Sequence, residues 1–144
     1  LVKNKYMGRT FISPTQELRE ISVKVKLNPI KKVVEGKRVV VVDDSLVRGT
    51  TSKKLIQMLL DAGAKEIHFR LASPIVKSEC YFGIDISSKK ELIGSVMSVD
   101  EIKEEIGANT LEYLTLENLR LILRDNDFCM GCFTGKYPIA NANK

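Results

Sequence analysis

GKRVVVVDDSLVRGTTS, residues 36–52, decides how this chain is read. Four consecutive valines, Val39 to Val42, follow Lys37 and Arg38. A β-branched run with no polar alternation predicts a strand covered on both faces, the usual state in a parallel sheet flanked by helices. Asp43 to Ser52 then make a polar turn, with Thr51 or Ser52 placed to cap the helix that follows. Leu55, Ile56, Leu59 and Leu60 form one apolar stripe at helical spacing, and Gly63 stands where a left-handed C-terminal cap belongs. Ile67 to Leu71 alternate apolar with polar and end before Pro74, which predicts a second strand. Strand, turn, helix and strand over residues 37–74 are a βαβ unit with an expected right-handed crossover, so the fold class is α/β.

Outward from this unit, Ser98 and Glu101 have the spacing of a capping box, and Gly107 closes a short helix containing Ile102 and Ile106. Thr115 precedes a further helix bearing Leu116, Leu119 and Leu123. Residues 125–144 lose periodicity and gain Gly131, Gly135, Pro138 and two cysteines, the pattern of an irregular tail.

The whole chain has 144 residues and 16.2 kDa, the size of one domain. A composition of 44% hydrophobic and 28% charged residues excludes a disordered tail or a collagen-like repeat. No apolar run approaches the roughly 20 residues of a membrane helix, and no signal-peptide pattern opens the chain. The expected location is cytoplasmic, with no membrane partner. Leu1 is not an initiator residue, which predicts a processed chain or a piece of a longer polypeptide.

The net charge of +5 is uneven. Residues 1–38 hold ten Lys/Arg against Glu17, Glu20 and Glu35, a balance of +7, while the other 106 hold thirteen against fifteen, a balance of −2. A basic arm is either a solvated face or an attractor of polyanions. Tyr6 and Phe11 are its only aromatics, so a small polyanion is favoured over nucleic acid.

In open parallel sheets, ligands bind beyond the carboxyl ends of the strands, where helix N-termini also point their free amides. Asp43 and Asp44 lie at that edge. Two adjacent carboxylates suit ribose hydroxyls and a hydrated Mg²⁺, a hard cation that prefers oxygen ligands. Gly49 permits a turn with exposed amides, Ser45, Thr50, Thr51 and Ser52 add hydroxyls, and Arg48 adds charge, together a cup for a monophosphate. The order of acids before turn is neither a Walker A loop nor a dinucleotide fingerprint.

VVVVDDSLVRGTT, residues 39–51, resembles the phosphoribosyl pyrophosphate (PRPP) loop of type I phosphoribosyltransferases. With residues 3–20, 36–52, 62–74, 80–85 and 128–138, nearly the whole chain resembles the C-terminal part of the glutamine PRPP amidotransferase family. The resemblance implies a phosphoribosyltransferase domain over residues 1–124, a cysteine-containing tail over 125–144, and an N-terminal glutaminase domain that is not in this chain. It implies formation of 5-phosphoribosylamine from PRPP and glutamine-derived ammonia, the first committed step of purine synthesis. Residues 1–27 would be a mobile loop closing over PRPP, with Lys3, Tyr6 and Arg9 as catalytic contributors. Asp43 and Asp44 would contact the ribose and help hold Mg²⁺, and Ser45, Arg48, Gly49, Thr50 and Thr51 would bind the 5-phosphate. Feedback purine nucleotides and a homo-oligomeric state are further implications. Displacement of pyrophosphate by ammonia needs positioning and charge stabilisation, with no nucleophilic side chain.

Cys129 and Cys132 form C-x-x-C, with Cys80 remote. Spacing alone leaves zinc, a redox dithiol and an iron–sulfur cluster open, although residues 133–138 make a poor helix start for a thioredoxin motif. His68, the only histidine, falls on the polar side of its strand beside Arg70 and is expected to be a surface residue. The resemblance implies that Cys80, Cys129 and Cys132 ligate a [4Fe-4S] cluster, with a fourth cysteine upstream. Ile75 and the Lys77-Ser78-Glu79 run depart from the family pattern near Cys80. The competing reading is a non-catalytic PRPP-sensing regulator that holds nucleic acid through the basic arm, against which stands the lack of any recognition helix or basic helix face.

Overall fold

The structure is a computed structural model that describes residues 2–3, 27–84, 89–124 and 128–139. Strands β1 (Val2–Lys3) and β2 (Leu27–Asn28) pair antiparallel. After a single-turn helix, α1 (Lys31–Val34), come β3 (Arg38–Asp43), α2 (Thr50–Asp61) and β4 (Glu66–Leu71), the expected strand–helix–strand unit. Helices α3 (Ile93–Val96) and α4 (Val99–Ile106) lead into β5 (Thr110–Tyr113). Then follow α5 (Leu116–Leu123) and one more turn of helix, α6 (Gly131–Thr134). Strands β3, β4 and β5 form a parallel sheet in that order, with Val41 opposite Phe69 and Phe69 opposite Leu111.

The core lies on one face of this sheet. Ile67, Phe69, Leu71 and Leu111 point from the strands into the stripe formed by Leu55, Ile56 and Leu59 of α2 and by Ile102 and Ile106 of α4. Strand side chains alternate faces, so one residue in two reaches this core. The valine run was expected to be buried on both sides. Instead Val41 is buried while Val40 and Val42 are 62% and 72% exposed, because among the described residues α2 and α4 cover one face only. The opposite face carries Val40, His68 and Thr110 in one row and Val42, Arg70 and Glu112 in the next.

His68 is more enclosed than its expected surface position. Nδ1 lies 3.0 Å from Thr110 Oγ1 and Nε2 lies 3.2 Å from Glu66 Oε2, leaving its side chain 16% exposed. The cross-strand neighbour Thr110 fills the space that an edge position would leave open.

The downstream caps form as the sequence predicts. Ser98 Oγ accepts the Glu101 amide, while the Glu101 carboxylate accepts the Ser98 amide at 2.7 Å. That backbone bond above all holds the Glu101 carboxyl below its ordinary value. Gly107 closes α4 in the left-handed conformation at φ 78°, and Thr115 Oγ1 accepts the Asn118 amide to start α5. Among the described residues no helix is long and apolar enough to cross a membrane.

Candidate functional site

Asp43 is the last residue of β3, and its carbonyl accepts the Ala72 amide at 2.9 Å, extending the ladder just past the end of the strand. The Asp43 carboxylate accepts the backbone amide of Asp44 at 3.0 Å, and the Asp44 carboxylate accepts the Ser45 hydroxyl at 3.0 Å. Asp43 is half-buried and Asp44 exposed. Among the described residues no cation pairs with either, so the carboxylates keep lone pairs for a hydroxyl group or a hydrated cation.

The turn is anchored by Leu46, which is 2% exposed. Gly49, at φ 76° and ψ −20°, is the residue from which α2 starts. The expected cap at Thr51 or Ser52 is therefore displaced to Gly49, and no side chain caps the helix. Ser52 is buried within the first turn, while Thr50 and Thr51 are exposed. The left-handed glycine turns the backbone so sharply that the threonines enter the helix itself, leaving its first amide groups without a side-chain acceptor among the described residues. An uncapped N-terminus with flanking hydroxyls favours an anion.

The segment that holds this turn in place was not evident from the sequence. The Val47 carbonyl accepts the Ile93 amide at 3.0 Å. Arg48 donates from Nε at 2.9 Å and from Nη2 at 2.5 Å to the same oxygen of Glu91. Arg48, Gly49, Thr50, Lys53, Lys90 and Glu91 line a cleft of about 250 Å³ that does not include Asp43 or Asp44. Glu91 and Ile93 stand more than forty residues from the turn, beyond the reach of local sequence patterns.

Cys80, Cys129 and Cys132 are free thiols. The Cys132 carbonyl accepts the amides of Lys77 and Ser78 at 2.8 and 3.0 Å, stitching the tail to the segment before Cys80. Tyr137 donates to the Glu79 carbonyl and meets Tyr81 edge-on at 4.9 Å between ring centres. Burial first, and then the neighbouring Cys80 and Cys129 thiols, push the Cys132 thiol up from its ordinary value. Three thiols sharing one neighbourhood are chemically suited to a thiolate-ligated group. They are not drawn into a ligating cluster: among the described residues no three metal-ligating side chains are assembled. His68, bonded within the sheet, is not among them. The one-turn helix α6 carries Cys132 and stops at Gly135, φ 74°, consistent with a poor helix start beyond residue 133.

Of the basic arm, Lys3 lies on β1, whereas Tyr6 and Arg9 fall outside the described residues.

The phosphoribosyl transferase domain family matches residues 1–105. The chain is 52% identical over 141 residues to a chloroplastic amidophosphoribosyltransferase of Arabidopsis thaliana, covering 96% of this chain and 25% of that protein. It is 53% identical over 138 residues to the amidophosphoribosyltransferase of Methanocaldococcus jannaschii, covering 96% of this chain and 29% of that protein. Among solved structures it is similar to the glutamine PRPP amidotransferase from B. subtilis complexed with ADP and GMP, with a TM-score of 0.79 and 53% identity. That match covers 95% of this chain and 31% of the solved one. The chain thus spans between a quarter and a third of the length of these relatives.

Proposed function

Because the chain belongs to the phosphoribosyl transferase domain family, we propose that it forms the PRPP-binding part of an amidophosphoribosyltransferase, which makes 5-phosphoribosylamine from PRPP and glutamine-derived ammonia. One observation carries this reading: two carboxylates at the end of β3, without cationic partners among the described residues, stand before a left-handed glycine and a helix N-terminus with no side-chain cap. Asp43 and Asp44 bind the ribose hydroxyls. Ser45, Gly49, Thr50 and Thr51 enclose the 5-phosphate through hydroxyls and amides, and Arg48 adds positive charge to the same turn. The exposed threonines are the groups a phosphate reaches first.

As ammonia displaces pyrophosphate at the anomeric carbon, positive charge builds on the sugar in the transition state and negative charge gathers on the departing pyrophosphate. The acidic pair orients the sugar for in-line displacement and opposes the charge growing on it. Asp43 and Asp44 would hold Mg²⁺, which neutralises pyrophosphate when bound. Lys3, Tyr6 and Arg9 of the basic arm would add cationic and hydrogen-bonding groups and exclude water. Cys80, Cys129 and Cys132 would hold three corners of a [4Fe-4S] cluster, which supplies a structural tie between the tail and the sheet domain. Purine nucleotides, such as the ADP and GMP in the B. subtilis relative, would act as regulators.

The test is Asp44→Asn in the polypeptide that carries this chain. Removing one carboxylate charge is expected to weaken Mg²⁺-PRPP binding by about tenfold or more while sparing glutamine hydrolysis. Unchanged PRPP affinity would remove Asp44 from the site.

A further inference from the structure

The phosphate turn is held from behind by a segment that carries none of the proposed ligands. Three contacts converge on consecutive residues of the turn. Val47 offers its carbonyl to the Ile93 amide at 3.0 Å. Arg48 is drawn through Nε and Nη2 onto Glu91, at 2.9 and 2.5 Å. Gly49 rests on Ile93 so closely that a β-carbon would stand 2.9 Å from Cδ1. The segment is itself fixed: Ile93 is buried, Leu92 is 1% exposed, and Ser95 Oγ donates to the carbonyls of Lys89 and Leu92. A turn whose amides must converge on one anion loses affinity if its backbone spreads, since preorganisation is what spares the ordering cost on binding.

The geometry points to Glu91 as a positioning residue for 5-phosphate binding. It acts through Arg48, whose guanidinium it turns along the cleft wall, so that the turn is presented in its anion-binding shape before the ligand arrives. On this account Arg48 serves as a tether, and the anion is bound by the amides and hydroxyls of residues 45–51. The Lys53–Glu105 pair, at 2.7 Å, makes a second bridge from the first turns of α2 to α4 across the same cleft. Arg48 and Glu91 are both roughly half exposed, at 43% and 51%, so the effect expected of the pair is modest.

The inference rests on residues 43–52 being the sugar-phosphate site. Its test compares wild type, Glu91→Ala and Glu91→Gln in the polypeptide that carries this chain, by calorimetric titration with ribose 5-phosphate and, separately, with Mg²⁺-pyrophosphate. Ribose 5-phosphate affinity is expected to fall about threefold to fivefold in Glu91→Ala and by less in Glu91→Gln, which retains an acceptor oxygen. Pyrophosphate affinity and kcat at saturating PRPP are expected to stay near wild type, which a general loss of folding would not allow. Unchanged or improved ribose 5-phosphate affinity in both variants would overturn the inference, the second case by making Arg48 a phosphate ligand that Glu91 restrains. Equal losses for both ligands would overturn it too. A wild type that binds neither ribose 5-phosphate nor PRPP would fail earlier, at the proposed function.

Discussion

Gly49 and Ile93 are in such close contact that a β-carbon on the first would force the Cδ1 of the second to shift. A β-carbon at residue 49 would meet Ile93 Cδ1 at 2.9 Å and Ile106 Cγ2 at 3.7 Å. The residue also holds φ 76°, where a β-carbon is disfavoured in any surroundings. Gly49→Ala is therefore expected to cost about 1–2 kcal/mol from the backbone alone. Displacement of Ile93 adds to this. Urea denaturation reads the loss, and a stability equal to wild type would contradict the described turn.

Tyr113 illustrates the opposite case, a residue whose polar atom lacks a partner. Its hydroxyl is buried at the end of β5 and has no hydrogen bond among the described residues, and burial pushes its pKa up to about 12. A desolvated hydroxyl without a partner costs about 1–3 kcal/mol. Tyr113→Phe is expected to leave stability unchanged or raise the melting temperature by a few degrees. A clear fall would mean that the hydroxyl is satisfied in solution.

On the open face of the sheet, Arg38 donates to Glu66 at 2.7 Å, and His68 lies 3.2 Å from the same oxygen. The Arg38 hydrogen bond, more than any other influence, holds the Glu66 carboxyl below its ordinary value. A carboxyl depressed in the folded state contributes stability above its unfolded value, and that contribution is lost as pH falls through the folded value. Arg38→Gln should be slightly less stable than wild type near neutral pH and match it in strong acid, giving a shallower acid limb. Parallel limbs in denaturation midpoints across the acid range would count against the pairing.

The cysteine neighbourhood predicts a compositional result. Cys132→Ser, expressed and purified without oxygen in the polypeptide that carries this chain, is expected to lose iron and acid-labile sulfide relative to wild type. Thermal melting gives a second reading, since a cluster tying the tail to the sheet domain would raise the wild-type midpoint. Equal iron and sulfide in the two proteins would take Cys132 out of the proposed ligand set.

The local chemistry of this chain was legible residue by residue. The valine run, the stripe of Leu55, Ile56 and Leu59, the Ser98–Glu101 box and Gly107 lie within a few residues of the partners that define them, and each forms the element its pattern predicts. The acidic pair and the hydroxyl-rich turn were legible for the same reason, because strand end, turn and helix start are contiguous in the chain. Local pattern misplaced the cap of α2, since the left-handed Gly49 starts the helix ahead of the expected cap at Thr51 or Ser52.

What the sequence by itself determined is the β3–α2–β4 unit and the helices α4 and α5 that follow it, all products of short-range periodicity and residue type. Only the tertiary structure decided which face of the valine strand is covered, that His68 packs against Thr110, and that Glu91 and Ile93 hold the turn at Val47 and Arg48. Those outcomes depend on segments some forty residues apart meeting across the sheet and the cleft. Their contacts come from packing of the whole core, which leaves no periodic mark on either segment alone.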